Sequence, residues 1–371
     1  MQVPPLDLTR VHQGLELELG AAAARIIACG RYVLGEENAA LERALAELHG
    51  VTAAVALNSG TDALLLGLMA AGVGAEQEVI TTPFSFFATV ECILAVGAKP
   101  VFVDIEPATF CLDPAKLERA FTLKTRVVLP VHLYGHPCAM PRICELTGRE
   151  SGVMVFEDCA QALGARLDGQ LVGSFGDMAA FSFYPTKNVG ALGDAGALLT
   201  RYESLAESVR ILRNHGQTAR YQHATRGLNS RMDELQAAFL NLKLPHLARW
   251  NEQRRAAAAR YDELLAGLPG VVTPRAQPGC EHTYHQYAIR VPRRDEVQRR
   301  LNDAGVGAMV HYPTPLHLCR ALSFLGHSEG AFPEAERAAR EVLCLPIFPG
   351  ITAQEQEYVA AQLQAALEAG S

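Results

Sequence analysis

The sequence predicts an α/β protein: a large domain built on a mainly parallel sheet, followed by a smaller α/β C-terminal domain. Three observations carry that expectation. From residue 51 short apolar runs alternate with amphipathic helical stretches, the pattern of a parallel sheet with helical crossovers. Runs such as VVLPV and VMVF are apolar throughout, as strands are when helices cover both faces of the sheet. A second, shorter strand–helix series begins near residue 285. The division is expected as residues 1–250, with an N-terminal helical segment, and residues 251–371.

The elements follow in order. Residues 15–49 repeat apolar positions at helical spacing, with a turn at GRYVLGEEN (30–38). AAVAL (53–57) reads as a strand, and NSGTD (58–62) leads into the helix ALLLGLMAAG. EVIT (78–81), PVFVDI (100–105), RVVLPVH (126–132) and VMVFED (153–158) read as strands; FATVECILAVG and MPRICELTGRE read as helices between them. In DPAKLERAF, Asp113 is placed to cap a helix that has Pro114 at its first position. Residues 177–200 read as two short strands around a Gly-containing polar loop, and helices follow at 202–214 and 230–268. HQYAIRV (285–291) and AMVHY (308–312) are expected strands flanking the helix DEVQRRLNDAG (295–305), and a last helix starts at Thr352.

Composition narrows the function classes. With 49% hydrophobic and 20% charged residues among 371, the chain can bury a substantial core and is not a disordered segment. A net charge of −7 excludes the broad basic surface of a nucleic-acid binder. The nine cysteines form no CxxC pair and mostly sit in apolar stretches, so they read as small buried hydrophobes in a reducing compartment. The N-terminus lacks a signal-peptide pattern, and no apolar run reaches the roughly 18 residues of a membrane span; a cytoplasmic protein is expected. Only five lysines occur, at 99, 116, 124, 187 and 243, which leaves few amines for chemistry.

Three segments can carry that chemistry. NSGTDALLLGL places small residues between a strand and a helix, whose free N–H groups suit a phosphate; the alternative is capping by Ser59 or Thr61 alone. In EDCAQALGA, Asp158 ends an apolar strand, where α/β sheets bind ligands; it either caps the next helix or pairs with a cation. Gln161, one turn later, could reach the same ligand. In FSFYPTKN, Lys187 lies in a charge-poor loop, as either a solvated lysine or an enclosed amine of lowered pKa. Asp158 and Lys187 are 29 residues apart in sequence. Phosphate cup, acid and amine in this order are what pyridoxal 5'-phosphate requires: an amine for a Schiff base, a carboxylate for the pyridinium nitrogen and donors for the phosphate.

NSGTDAL, TTPFSFFATVECILAVGAKPVFVDI, VHLYG, EDCAQALGA, SFYPTKNVGALGDAG and GLNSRMDELQAA together resemble the DegT-type sugar aminotransferases, a branch of the fold-type I pyridoxal-phosphate enzymes. The resemblance runs from about residue 5 to residue 360 and implies a seven-stranded-type sheet. It implies Lys187 as the Schiff-base lysine, Asp158 as the pyridine partner, Gln161 as a ring contact and Phe86 stacked on the ring. Gly60, Thr61 and Ser182 would hold the phosphate. Asn229 would reach the cofactor of a neighbouring subunit, which implies a homodimer with shared sites. His311, Tyr312 and His317, from HYPTPLHLC, would face the substrate, and Tyr221 and His223 would line the partner's pocket. From the residues alone, Phe86 could equally be a core aromatic, Asn229 a helix N-cap, and the 311–317 segment packing and turn. No metal is expected, because no acidic cluster accompanies the histidines. Leu163 stands where many relatives have histidine.

The implied reaction moves an amino group from glutamate to a nucleotide-linked keto sugar, in the C3-aminating pattern of HYPxPxH. Two alternatives stand beside it. A sugar dehydratase of the same family would carry histidine in place of Lys187. A non-catalytic regulator would bind the cofactor or a sugar nucleotide without turnover.

Overall fold

The structure is a computed structural model, and it describes residues 1–150 and 152–369. Its centre is a seven-stranded sheet: β1 (Ala53–Leu57), β2 (Glu78–Thr81), β3 (Lys99–Phe102), β4 (Thr125–Val128), β5 (Met154–Asp158), β6 (Met178–Ser182) and β7 (Gly196–Thr200). Their order in space is β1-β7-β6-β5-β4-β2-β3. All neighbours pair in parallel except those of β7, which runs antiparallel to both β1 and β6. Six strands therefore point one way. The loop from β6 to β7 is a direct return, which is why two short strands bracket the Lys187 segment.

Period-2 alternation sorts the strand residues between the two faces of the sheet. Ala54, Ala56, Ala179, Phe181, Ala197 and Leu199 face helices α1 (Glu16–Cys29), α2 (Glu36–His49) and α7 (Glu234–Lys243). Ala53, Val55, Leu57, Met178, Ala180 and Leu198 face α3 (Gly60–Ala70), α4 (Ala88–Ala95) and α6 (Glu203–Leu212). α5 (Met140–Thr147) covers the far edge with Ile143 and Leu146. Burial on both faces explains why these strands read as continuous apolar runs.

A second core gathers α8 (Leu247–Leu264), β8 (Tyr287–Arg290), α9 (Arg294–Asp303), β9 (Val342–Leu345) and α11 (Ala353–Glu368), while α10 (Pro333–Glu341) packs Ala335, Ala338 and Ala339 with Phe84, Phe110 and Tyr134. α8 spans both cores, with Trp250 in the first and Ala257, Ala258 and Tyr261 in the second. Val3 also packs into the second core, bridged to Val306. Thr352 and Glu355 close α11 with a capping box, and Arg10 bonds both oxygens of Glu355 at 2.8 Å.

Several elements depart from expectation. The helix expected over 230–268 begins at Glu234 and is split by a 3-10 turn at Leu244–His246, where Pro245 has no N–H to continue the ladder. The helix after Asp113 is capped as expected, yet α-helical only over Pro114–Leu117. AMVHY forms no strand; Met309 makes one isolated bridge, to Cys344. The partner of β8 is instead β9, antiparallel and directly following α10. No helix among the described residues is long and apolar enough to cross a membrane.

Candidate active site

The carboxyl ends of β1, β5 and β6 bring three predicted segments together. β1 ends at Leu57, and Ser59 caps α3 by accepting from Asp62 N–H at 3.0 Å. Among the described residues the N–H groups of Gly60 and Thr61 have no protein acceptor, so α3 presents two free donors at its positive end. Ser182, the last residue of β6, lies against them: a Cβ on Gly60 would sit 2.7 Å from Ser182 Cβ. Only glycine permits that approach. Ser182 Oγ accepts from Tyr184 N–H at 3.3 Å and keeps its own proton to donate.

Asp158, the last residue of β5, is 4% exposed. Oδ2 accepts from Thr89 Oγ1 at 2.9 Å and Oδ1 from Ala160 N–H at 3.1 Å. Thr89 is itself 2.8 Å from Ser85 Oγ. Burial pushes the Asp158 carboxyl up, against the pull of these donors, Lys187 and His132. The helix-cap alternative does not hold, since the chain after Asp158 forms turns rather than a helix.

Lys187 is half-buried, and Nζ makes no hydrogen bond or ion pair among the described residues. Burial pushes its pKa down to about 8, while the Asp158 charge raises it. The two groups thus feel each other without pairing. His311 and His285 also sense Lys187, and burial lowers both of their pKa values.

The aromatic wall follows from the segment 84–87 and the segment 311–312. Phe86 is 57% exposed, with its ring 6.0 Å from that of Tyr312, so it is not a core aromatic. Gln161 Nε2 donates to Tyr312 Oη at 3.2 Å, and its Oε1 accepts from Tyr134 N–H at 2.7 Å. Tyr134 Oη donates to the His311 carbonyl. Gln161, Tyr134, His311 and Tyr312 therefore form one hydrogen-bonded unit.

Other predicted residues lie elsewhere. His317 is 1% exposed, 3.0 Å from Glu336 through Nε2 and packed on Phe332; none of its contacts reaches Lys187, Asp158 or His311. Tyr221 is 80% exposed near the tip of the hairpin Gln217–His223, under Arg220, and His223 bonds the His215 carbonyl. Asn229 is exposed and bridges Asn214 through its backbone; the N-cap of α7 is Asp233, not Asn229. Sequence reading missed Thr89, Tyr134, Asn188 and His285. Thr89 had a signal, one helical turn after Phe86; the others are joined to the site by long-range contacts.

A buried trio, His132, Glu157 and Cys159, has the composition of a metal site. The His132 and Glu157 ligand atoms are already engaged. Glu157 accepts from Gly173, Phe175 and Gly176 N–H and from His132 Nε2, while His132 Nδ1 accepts from Cys138 N–H. Burial keeps the Cys159 thiol protonated. The trio braces β5 beneath Asp158.

An unpaired amine, a buried carboxylate facing it and a phosphate cradle of free N–H groups fit pyridoxal phosphate, and they define a pyridoxal-phosphate-dependent enzyme of the aminotransferase type. The sequence model of the DegT/DnrJ/EryC1/StrS aminotransferase family matches residues 15–364. The chain belongs to this family. It is 47% identical over 361 residues to a "pleiotropic regulatory protein" of Geobacillus stearothermophilus, covering 97% of each. It is 44% identical over 348 residues to the dTDP-3-amino-3,4,6-trideoxy-alpha-D-glucose transaminase of Streptomyces venezuelae, covering 94% of this chain and 92% of that one. Among solved structures, S. venezuelae DesV in complex with a ketimine intermediate superposes with a TM-score of 0.96 at 43% identity, over 99% of both chains. The PLP form of the putative sugar aminotransferase Spr1654 from Streptococcus pneumoniae gives 0.91 at 27% identity, over 100% of this chain and 99% of that one.

Proposed function

We propose that this chain transfers an amino group from glutamate to C3 of a nucleotide-linked keto hexose, using pyridoxal phosphate held at Lys187. The observation that carries the reading is the unpaired Lys187 amine, lowered to about 8, beside the buried Asp158. The transaminase name of the S. venezuelae relative supports the substrate class and the carbon.

Pyridoxal phosphate, when bound, supplies an electron-withdrawing ring conjugated to the reacting nitrogen. Gly60, Thr61 and Ser182 would hold its phosphate. Asp158 would keep a proton on the ring nitrogen, with Thr89 and Ala160 N–H holding the carboxyl ionised against its burial. Phe86 offers a flat face, and Gln161 sets the edge through Tyr312. At pH 7 an amine of pKa about 8 is roughly one-tenth unprotonated, against about one part in 3,000 for an ordinary lysine. Lys187 Nζ is thus a usable nucleophile. Lys187 Nζ would also be the base that takes the proton from the donor's Cα and carries it during the transfer. His311 and Tyr312 line the approach for the sugar.

The chain is proposed as a cytoplasmic homodimer. The exposed Tyr221 hairpin and the exposed Asn229 support their reaching into a neighbour's site. We also place the division between the two domains within α8, where its buried face passes from one core to the other.

The regulatory name of the Geobacillus relative favours one other reading, a protein that binds the cofactor without turnover. Adding glutamate to the yellow protein decides between them. An aminotransferase loses absorbance near about 420 nm and gains it near about 330 nm. A nucleotide-linked keto sugar then restores the first band, with a product in which an amino group and a hydrogen replace the keto oxygen, read by mass spectrometry. An unchanged spectrum would leave the regulatory reading standing.

A further inference from the structure

Lys187 sits on a loop, and reaction chemistry needs its groups held more tightly than a free loop allows. The next residue, Asn188, is 5% exposed and uses all of its side-chain polar atoms. Its Nδ2 donates to the Thr283 carbonyl at 3.1 Å and to Asn251 Oδ1 at 2.8 Å. Asn251 Nδ2 in turn donates to the Leu163 carbonyl at 3.0 Å. The two backbone carbonyls can only accept, so they settle which end of each amide points where. Asn188 Oδ1 must then be an acceptor, and its donor is His285 Nδ1 at 3.2 Å. That bond fixes the tautomer: His285 carries its proton on Nδ1 and a lone pair on Nε2. The backbone around His285 is held by Arg254, whose Nη1 donates to the carbonyls of Tyr284 and Ile347 at 3.1 and 3.0 Å.

The charged and titratable neighbours agree with a neutral ring. Lys187, Arg254 and His311 all face His285, and with burial they hold its pKa well below the usual imidazole range. Asp158, His285 and His311 are the groups that face Lys187.

The structure assigns His285 as a positioning residue for Lys187, acting through Asn188. The assignment rests on Lys187 being the reactive amine. His285 grips the carbonyl end of the Asn188 side chain while Asn251 and Thr283 grip the amide end. The peptide between Asn188 and Lys187 is thereby prevented from swinging the amine out into water. The three grips come from α8 and from the segment leading into β8, so these two elements hold the Lys187 loop.

The test is the titration of Lys187 in the full chain freed of cofactor. Trinitrobenzenesulfonate labels unprotonated amines, and peptide mass analysis across a pH series gives the midpoint for Lys187 alone. This readout needs no cofactor, so it stands or falls separately from pyridoxal phosphate binding, which borohydride trapping reports. His285→Ala and Asn188→Ala are expected to raise the midpoint by about one pH unit, because the loosened amine gains water. His285→Asn can donate from the place of Nδ1, and is expected to keep the parent midpoint. An unchanged midpoint in both alanine variants, even with a lowered melting temperature, would overturn the assignment. So would a His285→Asn midpoint displaced as far as that of His285→Ala. If His285→Ala does not fold, Asn188→Ala against His285→Asn decides by the same criterion.

Discussion

Lys187 lies in the loop between β6 and β7, Lys243 at the end of α7 reaches the same loop at Gly190, and burial pushes both amines down to about 8. Their surroundings differ. Lys243 is 0% exposed, its Nζ donates to the Gly190 carbonyl at 2.8 Å, and it lies 2.9 Å from His12 Nε2. Among the described residues Lys187 has no such partners, and it feels the Asp158 carboxylate without bonding it. A lowered pKa is therefore not in itself a mark of chemistry; an amine that is lowered and unpaired is. Lys243 fastens the chain three residues beyond the reactive amine, while Lys187 is left free to react.

Activity should separate the two lysines most sharply. Lys187→Ala is expected to cut transamination by about ten-thousandfold while the melting temperature stays near that of the parent, read by steady-state kinetics and calorimetry. Lys243→Met should keep activity within about threefold, yet lose on the order of 1–3 kcal/mol of stability by leaving the Gly190 carbonyl without its donor. Comparable activity losses in the two variants would erase the distinction.

Asp158 sharpens the contrast from the acid side. Asp158→Asn keeps the shape but removes the charge facing Lys187, and is expected to lower kcat by about a hundredfold or more. Thr89→Val should act more mildly, by about tenfold. It removes a donor that favours the ionised carboxylate, so the Asp158 pKa rises further and the acid limb of the pH–rate profile moves to higher pH. A limb moving the other way would remove Thr89 from the site.

Stability against pH should treat the two lysines alike. Both amines titrate lower in the folded chain than in the unfolded one, so the unfolded chain binds more protons between about pH 8 and pH 10.5. Stability attributable to these groups thus rises with pH across that window. Either single replacement should remove about half of that rise in urea titrations, although only one of them abolishes turnover.

The same contrast shows what a sequence can and cannot disclose. The seven strands were legible because two-sided burial writes itself as unbroken apolar runs, and Lys187 and Asp158 because each follows or ends such a run. β9 was not: α10 passes straight into VLCL with no turn residue between them, so no local signal separates helix from strand. AMVHY has strand composition, but the prolines at 313 and 315 follow at once and only Met309 pairs. The grip on Asn188 joins residues 63 and 97 positions apart, and no local pattern records it. His317 was drawn to the site by its neighbours in sequence, yet Glu336 and Phe332 take its ring into the small core around Phe102.

The most direct measurement is covalent. The full chain is mixed with pyridoxal phosphate, reduced with borohydride, digested and sequenced by mass spectrometry. The cofactor's mass should appear on the peptide containing Lys187 and be lost in Lys187→Ala. A label on Lys243, or on any lysine other than Lys187, would contradict the assignment of the reactive amine.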